Sequence, residues 1–169
     1  MKAKDWIQQL ELLPHPEGGF FKEVYRATEA IPQKALPERF TGERNFSTSI
    51  YFLLTADTFS AFHRIKQDEL WHFYDGTPLT LHRMTTEGEY LSHQLGRNPF
   101  NNESLQLVVP AGDWFAASVT DQTKSGDFSL VGCTVSPGFD FADFEMPNCQ
   151  SLIKHFPAHA HIIKKLTHS

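Results

Sequence analysis

The sequence predicts an all-β fold, a sandwich or closed barrel of short strands preceded by one short helix. Three observations predict it. From Phe46 to Ser136 the chain falls into eight short segments rich in β-branched and aromatic residues. Turn signals separate them at regular spacing, which suits sheets that close or stack to hide their edges. Fifteen Phe, four Tyr and three Trp are many for 169 residues and supply bulk for an interior between sheets.

Taken in order, residues 4–13 read as a helix, with Trp6, Leu10 and Leu13 at helical spacing and Pro14 as the stop. PHPEGG then turns the chain, Gly18 and Gly19 allowing backbone conformations that residues with a Cβ avoid. FFKEVYRAT reads as a strand. Residues 30–45 hold two prolines, a glycine and several charges, and read as a loop lying over the mouth of the fold. The strands FSTSIYFLL, TFSAFHRI, LWHFY, PLTLHRM, EYLSHQL, LQLVV, WFAASV and FSLVGCTVS come next, divided by TAD, KQDE, DGTP, TEGE, GRNPFNNE, PAGD and KSGD. After Pro137 the aromatic, acidic stretch SPGFDFADFEM is expected to pack back onto the sheets, and HFPAHAHIIKKL to form a short helix. With no repeat and no linker, residues 1–169 read as one domain with its core at about 18–147.

Composition narrows the function. Hydrophobic residues at 40% and charged residues at 21% are a globular balance. A net charge of -5, without a basic block, argues against a nucleic-acid partner. The longest apolar run, near Ile50–Leu54, is too short to cross a membrane, and the N-terminus has no secretory h-region, so a cytoplasmic location is expected. Cys133 and Cys149 are then expected to be reduced. No GxGxxG, P-loop, GxSxG or CxxC is present, which argues against dinucleotide, NTPase and dithiol chemistry.

Two segments carry a resemblance. HRIKQDELWHFYDG (63–76) resembles the first cupin motif, His-x-His, then Glu, then Gly: His63, Glu69 and Gly76 fit, and Ile65 stands at the second His. PAGDWFAASV (110–119) resembles the second motif: Pro110 and Gly112 fit, while Phe115 and Val119 replace its His and Asn. With PHPEGGFFKEVYR, STSIYFLL, VVPAGDWFAA and LVGCTVSPGFDF in the same order, the chain is identified as similar to the Cupin_5 family, a domain of unknown function, over roughly residues 8–147. The resemblance implies a cupin-type double-stranded β-helix (a jelly-roll barrel) and a homodimer.

On that alignment the four metal-ligand positions hold His63, Ile65, Glu69 and Phe115. Two hydrocarbon side chains leave too few donors for zinc or non-haem iron, so no metal is expected. The alternative is a divalent metal on His63, Glu69 and His72, a two-His, one-carboxylate set that alternation opposes unless a bulge intervenes. Without metal, Glu69 would orient His63 as a general base, and the two are the candidate catalytic residues. This is similar to the metal-independent sugar-nucleotide 3,5-epimerases, although no Tyr aligns as the acid.

Candidate ligand-binding residues surround the pair. Arg26 and Arg44 flank the 30–45 loop and offer guanidinium forks. Tyr25 and Tyr51 offer phenols, Gln106 an amide and His72 an imidazole. Trp71, Phe73, Phe115 and Phe139 are candidate apolar walls. Three functions stay open: a metal-independent epimerase or isomerase on a sugar-like small molecule, a metal-dependent cupin enzyme, and a non-catalytic binding or scaffold protein.

Overall fold

All eight strand segments read from Phe46 onward form strands in the computed structural model, which describes residues 1–121 and 126–168. In chain order the elements are helix α1 (Ala3–Gln9), strands β1 (Leu13–Pro14), β2 (Phe20–Arg26), β3 (Ala30–Ile31), β4 (Arg44–Asn45), β5 (Thr48–Thr55), β6 (Phe59–His63), β7 (Asp68–Gly76), β8 (Leu79–Met84), β9 (Tyr90–Leu95), β10 (Glu103–Ser104), β11 (Gln106–Val109), β12 (Trp114–Val119) and β13 (Phe128–Ser136), then helices α2 (Cys149–His155) and α3 (Ala160–Lys165). Of the turn signal KSGD, Lys124 and Ser125 lie outside the described residues.

Two sheets face each other. One has the order β1-β2-β5-β13-β7-β11, the other β10-β9-β8-β12-β6; β3 and β4 form a separate ribbon. Alternation puts Phe52, Leu54, Trp71, Phe73, Val131 and Cys133 of the first sheet against Leu79, Leu81, Phe115 and Ala117 of the second, all buried. Among the described residues, hydrogen bonding does not pass from sheet to sheet. The expected β-rich cupin fold is present as two sheets packed face to face, and the edge strand β6 finds partners in the 14–19 turn and in the tail.

Both outer faces carry helices. Leu152, Ile163 and Leu166, from α2 and the end of α3, bury against Phe62, Met84 and Ala116. Each such side chain contributes about 1.5–3 kcal/mol. Helix α1 lays Trp6, Ile7 and Leu10 on Leu53, Phe128 and Leu130. It ends earlier than the sequence predicts, because Glu11 takes φ 55; Leu12 becomes the buried residue and Leu13 is 66% exposed. Among the described residues no helix is long and apolar enough to cross a membrane. Cys133 and Cys149 are both free thiols.

Three bulges interrupt the strand pairing, one of them in β2 between Glu23 and Tyr25. In β6, Phe115 pairs with His63 but Ala117 pairs with Ser60, so β6 carries an extra residue just before His63. In β7 the shift falls between Phe73 and Asp75, after His72, and the register from Asp68 to Phe73 is regular.

Candidate functional site

A cavity of about 320 Å³ opens at one end of the two-sheet stack. Its floor is built from three segments: β6 supplies His63, β7 supplies Glu69, and the PHPEGG turn supplies His15 and Glu17. Glu69 points inward because it shares the parity of Trp71 and Phe73. His63 stands at the end of the bulged strand, where the freed amides find partners outside the sheet. The Ala61 N–H donates to the Glu17 carbonyl at 2.7 Å, and the Phe62 N–H to the Leu166 carbonyl at 2.8 Å. The turn can approach so closely because residue 18 is glycine: its φ is 113°, and a Cβ there would overlap the Phe59 carbonyl.

The hydrogen bonds assign the protons. His63 Nδ1 lies 2.7 Å from the Ala61 carbonyl, which only accepts, so Nδ1 carries hydrogen. Nε2 is the titrating nitrogen, and it lies 3.0 Å from Glu17 Oε2. One proton occupies that contact, on the nitrogen or on the oxygen. Burial lowers the pKa of His63 and raises that of Glu17 to about 7, so it weakens the imidazole as a base and strengthens the carboxylate as one. His15 accepts the Glu17 N–H at Nδ1 over 3.2 Å, and burial lowers its pKa too. Burial likewise raises Glu69 to about 7, against the lowering effect of His63 and with Glu17 adding repulsion. The floor thus holds two imidazoles whose burial favours the neutral form and two carboxyl groups raised to about 7.

The mouth is aromatic and acidic. The segment after β13 crosses the opening and contributes Phe139, Asp140, Phe141 and Phe144; β2 contributes Phe21, Glu23 and Arg26. Asp143 anchors this cover. It is buried and takes a two-pronged ion pair from Arg44, both contacts 2.7 Å, and a 2.8 Å bond from Gln67 Nε2. Burial opposes its charge, but Arg44 and Gln67 outweigh burial and hold its pKa below the usual range. One residue on from Phe144, Glu145 exchanges both backbone bonds with Arg64, at 2.9 and 3.0 Å.

The metal positions of a cupin are not met here. Ile65 and Phe115 occupy two of the four, both buried, and the Phe115 ring packs on His63 at 4.1 Å. Among the described residues no group of three or more His, Cys, Asp or Glu is arranged to hold a metal ion. His72 does not join His63 and Glu69: it faces the other side of the sheet, with Nε2 3.1 Å from Thr134 Oγ1. The bulge that would have turned it inward comes after it in the strand.

Of the residues singled out from sequence, His63, Glu69, Arg26 and Phe139 line the cavity. Trp71, Phe73 and Phe115 belong to the core between the sheets, Phe115 directly behind His63. Tyr25 is 55% exposed on the outer sheet face, Tyr51 packs there against Tyr74, and Gln106 lies exposed on the edge strand β11. Arg44 is locked to Asp143 beneath the cover. The 30–45 loop does not lie over the mouth; it forms the β3–β4 ribbon, and the 139–144 segment takes its place. Among the described residues no hydrogen bond joins Glu69 to His63; the Ala61 carbonyl and Glu17 orient the ring. His15, Glu17, Phe141 and Phe144 join the site without having been singled out from sequence. The signal for Glu17 is an ionisable residue next to a Gly-Gly turn, which sequence reasoning takes only as turn chemistry.

Comparison with known proteins places this geometry among relatives. The Cupin_5 family model, described as cupin superfamily (DUF985), matches residues 4–147. Protein SO0799 from Shewanella oneidensis is 38% identical, with 99% of this chain and 98% of that chain covered and a TM-score of 0.88. A hypothetical protein from Leishmania major is 34% identical over 100% of both chains, with a TM-score of 0.90. The uncharacterized protein YML079W of Saccharomyces cerevisiae is 29% identical over 155 residues, 88% of this chain and 77% of that protein. Oxalate decarboxylase from Bacillus subtilis, at 12% identity, 90% of this chain, 36% of that chain and a TM-score of 0.54, shares the fold alone.

Proposed function

We propose that this chain, which belongs to the Cupin_5 family of the cupin superfamily, binds a small organic molecule and moves protons on it without a metal, as an isomerase or epimerase does. The observation that carries this reading is the His63–Glu17 contact. An imidazole with Nδ1 committed to a carbonyl and Nε2 3.0 Å from a carboxyl raised to about 7 can take or return a proton near neutral pH. Glu69, also raised to about 7, is the second acid–base group of the floor. It supplies what the sequence comparison with epimerases lacked, an acid to face the base.

In the proposed step Glu17 is ionised while the shared proton sits on His63 Nε2, and the other Glu17 oxygen removes a proton from a carbon beside a carbonyl. The electron pair moves to the carbonyl oxygen, and protonated Glu69 donates to that oxygen. Carbon then regains a proton, from Glu17 on the same face or from water on the other with Glu17 releasing its own to solvent, and the enol returns its proton to Glu69 as the carbonyl re-forms. A volume of about 320 Å³ is at the small end for ligand sites and favours a compact molecule over a nucleotide conjugate. A homodimer is proposed as the working form, supported by exposed Tyr25, Leu70, Tyr74 and Val108 on the outer face of the six-stranded sheet.

The test is solvent-deuterium exchange into carbonyl compounds that raise the melting temperature of the protein. Wild type should wash deuterium into the carbon next to the carbonyl. His63→Ala and Glu17→Gln should each slow the exchange by about 10²–10⁴-fold. Exchange that proceeds unchanged in both variants would remove the couple from the chemistry.

A further inference from the structure

We infer that the cavity selects a small organic cation, an ammonium or protonated nitrogen base attached to an apolar or aromatic portion, over any phosphate-bearing ligand. The inference deepens the proton-transfer reading and rests on it for the identity of the site. Three independent features of the lining lead to it.

The first is its charge. Glu23 and Asp140 stand at the mouth, and Glu17 and Glu69 at the floor add negative charge as they ionise above about 7. Among the described residues Arg26 is the one Lys or Arg that lines the cavity.

The second is that four of the five N–H donors of Arg26 are engaged. Its Nε and Nη2 donate to both carboxylate oxygens of Glu23, at 2.9 and 2.7 Å. Its Nη1 donates to Asn45 Oδ1 at 2.8 Å and to the Phe139 carbonyl at 3.1 Å. A phosphate seeking this guanidinium would have to displace a two-pronged carboxylate and then sit beside it. The floor histidines do not replace Arg26. His15 Nδ1 acts as an acceptor for the Glu17 N–H, and any positive charge on His63 is balanced by Glu17 at 3.0 Å.

The third is the aromatic mouth. Phe139, Phe141 and Phe144 form a mutually edge-on set with centroids 5.0, 5.8 and 6.3 Å apart. Phe141 also stacks toward His15, which packs against Phe21. Phe141 is 56% exposed, an aromatic face left open at the entrance of an acidic hollow. Ring faces attract cations through their quadrupole, and nearby carboxylates add to that attraction. Rings and carboxylates with no free guanidinium are the lining an organic cation needs and a phosphate avoids.

Three probes that share one ring separate the possibilities: benzyltrimethylammonium, benzyl alcohol and benzyl phosphate, titrated calorimetrically at pH 7.5 and low salt, where rim charges are least screened. The cation should bind about tenfold more tightly than the alcohol, and the phosphate more weakly than both. Asp140→Asn should reduce the preference for the cation about threefold and leave the alcohol unchanged. Glu23→Gln removes one carboxylate and frees the Arg26 fork, so benzyl phosphate should gain about tenfold. Asp140 and Glu23 lie at the open rim, and neither substitution empties the core. Phosphate binding best to wild type, no binding by the cation, or a preference untouched when Asp140→Asn and Glu23→Gln are combined would each overturn the inference. The two readings fail separately. Loss of the charge preference with His63-dependent exchange intact sinks the ligand class alone. A kept preference without exchange sinks the proton transfer.

Discussion

His63 has one nitrogen free to titrate, and its neighbours decide how. Because Glu69 is raised to about 7 by burial, the folded protein keeps a proton that the unfolded chain releases near 4.5. Stability contributed this way is present at low pH and is lost as pH rises through about 7; Glu17 acts in the same direction. His15 and His63, lowered from 6.5 by burial, act oppositely and favour folding as pH rises toward 6.5. Above that point only the carboxyl slope remains. Glu69→Gln, which imitates the protonated acid, should therefore be more stable than wild type at pH 8.5 by about 1–3 kcal/mol, roughly 2–10 °C in melting temperature. At pH 5.5 the gain should be small. Thermal melts at the two pH values check this, and a variant destabilised at both would show that Glu69 is held ionised. His63 and Glu69 were legible in the sequence because motif spacing and strand parity act over a few residues. Glu17 was not, since its place depends on a turn meeting a bulge more than forty positions away.

Elements divide in the same way. WFAASV and FSLVGCTVS form β12 and β13 residue for residue, because alternation and flanking turns are local properties. The place of the 30–45 stretch was not legible, because composition reports a loop but not what it covers. Its one buried charge, Arg44, in fact serves the segment that does cover the cavity. That ion pair is almost wholly shielded from water, so removing one partner leaves the other charge stranded. Arg44→Ala should lower unfolding stability by about 3–5 kcal/mol in urea titration, while the paired change Arg44→Met with Asp143→Leu should cost clearly less. Equal losses would mean that the cover is anchored elsewhere. At the other approach to the site, Gly18→Ala meets the Phe59 carbonyl and a φ of 113° together. It should cost about 1 kcal/mol or more and should slow deuterium exchange by displacing Glu17.

At the scale of the molecule, helix α1 covers only part of the outer face of the six-stranded sheet among the described residues. Helix α1 protects one end of the six-stranded sheet, and Tyr25, Leu70, Tyr74 and Val108 remain open on the rest. Light scattering should report twice the mass of the chain, and Tyr74→Arg, which puts a charge on that face, should shift the population toward monomer. A wild-type protein that scatters as a monomer at micromolar concentration would remove the dimer. The all-β class was readable from periodicity, whereas the segments that cover the β6 edge were not, because they come from distant parts of the chain. One of these, the tail, reaches the strand that bears His63: the Leu166 carbonyl receives the Phe62 N–H, and His168 Nε2 lies 2.9 Å from the Glu17 carbonyl. The matched family span stops at residue 147, so a protein trimmed to that boundary for expression would forfeit both moorings. The trimmed form would bare a ready template for aggregation and loosen its own proton relay in a single cut.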